Sequence, residues 1–171
     1  QQAAEERFRH VFAHLGAVVA YARRRGSTDP DSIGAEVMTI AWRRLADVPR
    51  DDPRPWLYGT ARNLVLAEFR RWRQVEDDGR IELEAAPAVE PLHLDPQLAD
   101  ALSSLSPLDR EALLLVAWED LSPAQAARVL RINPTAFRVR LLRARRRLKE
   151  RLAETHRRAG ATTSRLEMER T

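Results

Sequence analysis

The chain has 171 residues with a formal net charge of +4, and it contains no cysteine. Disulfides, thiolate catalysis and cysteine-ligated zinc are therefore excluded. No apolar run is long enough for a membrane span, and no signal-peptide pattern opens the sequence, so the expectation is a cytoplasmic protein with no membrane insertion. The charge is unevenly placed: residues 1–74 hold 13 basic and 9 acidic side chains, residues 75–102 hold 1 and 8, and residues 103–171 hold 15 and 8. Two basic blocks flank an acidic middle, and 28 of the 29 basic residues are arginine, which suits bidentate phosphate contacts.

In the first block Phe8, Val11, Phe12, Leu15, Val18, Val19 and Ala22 recur at three- and four-residue steps, which predicts one helix with a single buried face. Gly26 and the run Ser27-Thr28-Asp29-Pro30 end it and start a second, carried by Ile33, Val37, Ile40, Ala41 and Leu45. After the loop VPRDDPRP (48–55), Trp56, Leu57, Ala61, Leu64, Val65, Phe69 and Trp72 mark a third helix ending in RRWR. Residues 75–95 lose the period and gain Pro87, Pro91 and acids, as a linker does. Extended, those 21 or so residues reach roughly 70 Å.

The second block carries repeated caps. Asp95-Pro96, Ser106-Pro107, Ser122-Pro123 and Asn133-Pro134 each put a capping side chain before a proline at the first helical position, where a missing N–H costs nothing. Ser122 and Gln125 form the spacing of a capping box. Four helices starting at 96, 107, 123 and 134 follow, and residues 156–171 read as a disordered tail. The fold class is all-α, two small helical domains joined by a flexible acidic linker.

The helices starting at 123 and 134 are joined by only Arg131-Ile132-Asn133, a helix-turn-helix spacing. On the last helix Phe137, Leu141, Ala144, Leu148 and Leu152 share one stripe, while Thr135, Arg138, Val139, Leu142, Arg143 and Arg146 share the outward face. Residues 131–152 hold eight arginines and a lysine against one acid, Glu150. A solvated face alternates its charges at four-residue spacing, and this one does not. The charge has a partner, and an anionic polymer is the simplest. Arg138 and Arg143 suit guanine edges, Val139 or Leu142 a thymine methyl, and Arg140, Arg145, Arg147, Lys149 and Arg151 phosphates.

The segments IGAEVMTIAWRRL (33–45), PWLYGTARNLVLAEFRRWR (55–73) and LSPLDREALLLVAWEDLSPAQAARVLRINPTAFRVRLLRARRRL (105–148) resemble, in that order, regions 2 and 4 of a bacterial sigma factor of the extracytoplasmic-function type. The resemblance implies region 2 over 1–74, a linker over 75–95 and region 4 over 96–155. It implies a non-enzymatic protein without cofactor that binds core RNA polymerase (β′ clamp helices and β flap), promoter DNA and an anti-sigma factor. It places Arg138, Val139, Leu142 and Arg143 on the −35 element. It places Asp51, Asp52, Arg54, Tyr58, Arg62 and Asn63 on the −10 element, with Arg70, Arg71 and Arg73 along the backbone. Glu36, Arg43 and Arg44 fall to core polymerase. The chain departs from the family's usual acidic pair and glutamine at Asp31, Ser32 and Ala35, and from its usual aspartate at Ala67.

Competing readings of the residues are a stand-alone helix-turn-helix regulator and a basic module that docks on an acidic protein. Glu6, His10 and His14 stand at metal-ligand spacing, but no further ligand is evident and solvated side chains are expected. No glycine-rich phosphate loop and no ordered nucleophile and base are present. Trp42, Trp56 and Trp118 are expected in the core, and Trp72 lies between the core and base-stacking readings.

Overall fold

The computed structural model describes residues 2–76 and 95–168, with side chains over 2–72, 95–155 and 157. The linker expected between the blocks falls almost wholly outside those residues. The described residues form eight helices and no strand: α1 Gln2–Phe12, α2 Leu15–Arg24, α3 Pro30–Arg43, α4 Arg54–Glu76, α5 Pro96–Ser103, α6 Pro107–Ala117, α7 Pro123–Leu130 and α8 Pro134–Met168.

The helix expected across Phe8 to Ala22 is two helices. Ala13 and His14 donate to the carbonyls of Arg9 and Val11, so the second bond spans three residues and tightens the last turn. The break turns Phe12 away from the core and leaves it exposed, its ring tilted against that of Phe8. It also separates His10, on α1, from His14, in the turn before α2, and no group of metal-ligating side chains converges among the described residues.

α2 ends at Gly26, whose φ of 76° belongs to the left-handed region. Gly26 N–H donates to Arg23 and Ser27 N–H to Ala22, the paired bonds that close a helix end. Asp29 caps α3, accepting from Ser32 N–H at 3.0 Å. Gly34 is buried where α3 crosses α2, and an added Cβ would stand 2.5 Å from a Val19 methyl. α4 packs across both α2 and α3, completing a bundle.

All four capped starts in the second block occur as expected. Asp95 accepts from Gln97 and Leu98, Ser106 from Asp109, and Asn133 from Thr135. Ser122 and Gln125 exchange both bonds of a capping box. Buried Arg110 donates to the carbonyls of Leu102, Ser103 and Leu105, locking the α5–α6 corner. The α7–α8 turn repeats the closure seen at Gly26, with Arg131 and Ile132 donating to Arg128 and Ala127. Here arginine, not glycine, takes the left-handed position, with φ 54°. Such a residue carries strain of about 1–2 kcal/mol.

α8 differs from expectation at its far end. Its backbone stays helical to Met168, through the segment expected to be a disordered tail. Its near half behaves as expected: Phe137, Leu141 and Ala144 are buried, and Leu148 packs against the core. Trp56 and Trp118 also pack against the core, whereas Trp42, expected there, is 47% exposed and Trp72 is exposed. Trp42 follows Ala41 by a third of a turn, which carries it off the buried stripe of α3. Among the described residues no helix is long and apolar enough to cross a membrane.

The Gly34 contact yields a stability test. Gly34→Ala would force the stiff Val19 side chain out of place, and overpacking of this kind costs about 1–3 kcal/mol. A thermal melt should show a lower midpoint than the parent chain, although alanine is the better helix former.

Candidate nucleic-acid interface

The capped α7–α8 turn holds α8 by its buried stripe, so the opposite face is open. Leu142 is 69% exposed and Val139 44%, and Thr135, Arg138, Arg143 and Arg146 are exposed beside them. All six residues expected to read DNA from this helix are therefore on one free face. Two large apolar side chains are thus left in water side by side among arginines. Arg146 pairs with Glu150 four residues on, but both are well exposed and the pair holds weakly. Arg138, Arg143 and Arg145 have no acidic partner among the described residues.

Three of the arginines expected at phosphates have other partners, and the pair of Arg151 with Glu154, at 3.3 Å along α8, is exposed. Arg140 and Arg147 reach across to Asp109 of α6, at 2.8 and 2.5 Å from its two carboxylate oxygens. Sequence reasoning missed this carboxylate because Asp109 lies more than thirty residues away on another helix.

The second group of expected DNA contacts is arranged differently. Asp51, Asn63, Arg70 and Arg71 are exposed, Arg62 is half-buried, and Arg73 lies on α4 with its side chain outside the described set. Asp52 accepts from Arg54, backbone and side chain, and from Gln125 of α7 at 2.5 Å. Burial opposes the Asp52 charge, but the hydrogen bonds from Arg54 and Gln125 outweigh it and set its pKa below the ordinary carboxylate value. Tyr58, expected at the −10 element, is only 4% exposed, stacked on Tyr21 with ring centroids 5.2 Å apart. In this arrangement it faces the interior of the molecule and no base can reach it. Asn63 lines a cleft of about 310 Å³ whose other side includes Arg128 and Arg131 from the second block.

These contacts belong to a seam in which the second block covers part of the first. Gly59 of α4 lies against the α7 backbone: a Cβ there would stand 3.9 Å from the Val129 Cα, an ordinary contact. At the seam's centre Arg25, 5% exposed, donates to Glu111 at 3.2 Å and to Glu119 at 2.5 Å, with its guanidinium 4.1 Å from the Tyr21 ring centroid. Arg24 adds a second bond to Glu119, and the Tyr21 hydroxyl donates to Glu111 at 2.9 Å. Burial disfavours the Arg25 charge, but Glu111, Tyr21 and Glu119 outweigh it and keep the guanidinium protonated. Burial and then Glu111 push the Tyr21 phenol up, so it remains a neutral donor. No sequence spacing connects these residues, and nothing local marks them.

Glu36, Arg43 and Arg44, expected at core polymerase, are all exposed on or just after α3. Arg44 pairs with Asp47 at 2.8 Å. Near them Phe8, Phe12 and Trp42 form an aromatic group, with Phe8 and Trp42 edge-to-face at 5.0 Å. Helical geometry could have found it, since Trp42 falls outside the core stripe.

A bundle, a docked helix-turn-helix and an arginine-rich exposed face define a helical DNA-binding protein of two linked halves. The profile described as "Sigma-70, region 4" matches residues 96–148. The RNA polymerase sigma factor CnrH of Cupriavidus metallidurans is 32% identical over 160 residues, covering 82% of this chain and 84% of its own. The RNA polymerase sigma factor CarQ of Myxococcus xanthus is 30% identical, covering 90% and 91%. The sigma factor RpoE of Bartonella quintana, solved with the anti-sigma factor NepR, superposes with a TM-score of 0.63 at 26% identity, over 85% of this chain and 95% of that one. CnrH solved with the cytosolic domain of CnrY gives 0.61 at 28%, over 90% and 94%. The chain belongs to the bacterial RNA polymerase sigma factors of the extracytoplasmic-function type. Members of this family act by recognition and are not enzymes.

The seam is testable through Arg25. Arg25→Ala leaves Glu119 with only Arg24 and Glu111 with only the Tyr21 hydroxyl, and removing one member of a buried ion pair costs about 3–5 kcal/mol. Separation of the halves rehydrates both carboxylates, so small-angle scattering should report a larger radius of gyration than for the parent chain, with helix content unchanged by circular dichroism.

Proposed function

We propose that this chain binds core RNA polymerase and directs it to promoters. Residues 96–155 act as region 4, reading the −35 element with the outward face of α8, and residues 1–74 act as region 2. The observation that carries this reading is the free face of Thr135, Arg138, Val139, Leu142, Arg143 and Arg146, held open by the packed stripe behind it. A helix so presented fits the major groove, where arginine meets guanine and an apolar tip meets the thymine methyl.

In region 2 the −10 element falls to Asp51, Asp52, Arg54, Tyr58, Arg62 and Asn63, with Arg70, Arg71 and Arg73 following the strand. Capture of unstacked bases needs an aromatic or polar platform beside positive charge. Because Tyr58 and Asp52 are engaged in the seam, this step requires the halves to part. Residues 75–95 act as the linker that permits it. Glu36, Arg43 and Arg44 face the β′ clamp helices, and region 4 meets the β flap. The protein works in the cytoplasm, where core polymerase is. An anti-sigma factor is the natural antagonist, since Bartonella RpoE forms a complex with one, NepR, and such a partner would act here by holding the halves together.

Transcription in vitro with core polymerase is the direct test: adding the chain should produce promoter-specific initiation. A tight duplex complex formed equally well without polymerase would instead identify a stand-alone regulator. Within region 4, Arg143→Ala should cost about 1–3 kcal/mol at one upstream base pair and relax selectivity there. A uniform loss across all base substitutions would make Arg143 a phosphate contact.

A further inference from the structure

The cations of α8 fall into distinct groups. Arg138 and Arg143 project freely, whereas Arg140 and Arg147 converge on one carboxylate. These two are seven residues apart, so two helical turns bring them to the same edge, between the buried stripe and the reading face. Their partner Asp109 is 3% exposed, and its place is set from behind: it sits in the first turn of α6, where its N–H donates to the Ser106 cap at 3.3 Å and the helix end favours its charge. It lies in the wall of a groove of about 670 Å³ that also contains Thr135, Val139 and Arg143. A buried carboxylate thus stands directly beneath a DNA-facing surface. It occupies the position toward its two arginines that a phosphate oxygen would take.

Such a placement opposes the simplest way to increase affinity. Two more unopposed arginines beside this groove would tighten binding to any duplex, since phosphate contacts carry no sequence information. We propose that Asp109 is a positioning residue that sets specificity. It holds Arg140 and Arg147 off the phosphate backbone, so that binding depends on Arg143, Val139 and Thr135 at the base edges. The inference rests on the proposed reading of −35 DNA by α8.

The experiment compares holoenzymes of core polymerase with the wild-type chain, Asp109→Asn or Asp109→Glu. Each is titrated onto a promoter duplex and onto one with a scrambled upstream element, between about 50 and 200 mM salt. Asn keeps the shape and removes the charge. The expected result is tighter binding of Asp109→Asn to the scrambled duplex and a smaller promoter preference. Its plot of log affinity against log salt should steepen by roughly 1–2 units, at about 0.9 per added phosphate. Asp109→Glu should restore the wild-type slope. An unchanged or shallower slope for Asp109→Asn would overturn the proposal and leave Asp109 as a structural cross-link, whose loss lowers the melting temperature alone.

Arg147→Gln keeps the test decisive if Asp109→Asn does not fold. With Arg147 held away from DNA its loss leaves the wild-type slope unchanged, whereas a slope shallower by about 0.9 puts Arg147 on a phosphate and overturns the proposal. If wild-type holoenzyme shows no promoter preference at all, the reading of α8 fails. The slopes on scrambled duplex still decide where Arg140 and Arg147 are held.

Discussion

Arg25 at the end of α2, between Glu111 and Glu119, governs how the two halves of the molecule meet. A guanidinium and two carboxylates taken out of water cost several kcal/mol each, and their mutual attraction repays that only when geometry is good and other donors complete the set. Tyr21 and Arg24 supply those donors here. The result is a junction with strict geometry and modest net stability. Each of its ions regains full hydration on separation, which is the property the proposed parting of the two halves requires. An apolar seam of the same area would hold more tightly and discriminate less among docking angles.

From that junction the placement of both proposed DNA surfaces follows. α7 lies against α4, near Gly59, and Gln125 serves both its own helix cap and Asp52 of the first half. Docking therefore covers Tyr58 and narrows access to Asn63. α8 packs on α5, α6 and α7, so its reading face stays in solvent. One surface is thus gated by the seam while the other is independent of it.

The charge on α8 has a similar logic. A run of arginines is compatible with a stable helix because Phe137, Leu141 and Ala144 anchor it from behind, and because one buried aspartate neutralises part of the repulsion. Burial of a carboxylate under a basic surface trades non-specific attraction for orientation. The strained left-handed Arg131 in the α7–α8 turn belongs to the same region, where the chain places a cation beside the interdomain cleft in a position that glycine would occupy at less cost.

Local chemistry was enough to locate most of the fold. The paired caps and prolines at 95–96, 106–107, 122–123 and 133–134 act within one turn of helix, so their outcome is legible from neighbouring letters alone, and so is the stripe that turns Arg143 outward. Periodicity failed at Ala13–His14, where a 3₁₀-type turn interrupts an unbroken apolar pattern, and at the end of α8, where a sequence without caps or stripe continued as helix. Trp42 showed that an aromatic side chain near a core stripe is not necessarily in it. The seam of Arg25 with Glu111 and Glu119, the burial of Tyr58 and the capture of Arg140 and Arg147 by Asp109 were decided by tertiary structure alone. Each joins residues distant in the chain, and an electrostatic contact leaves no period or spacing in a sequence because only the packing of helices sets which charges meet.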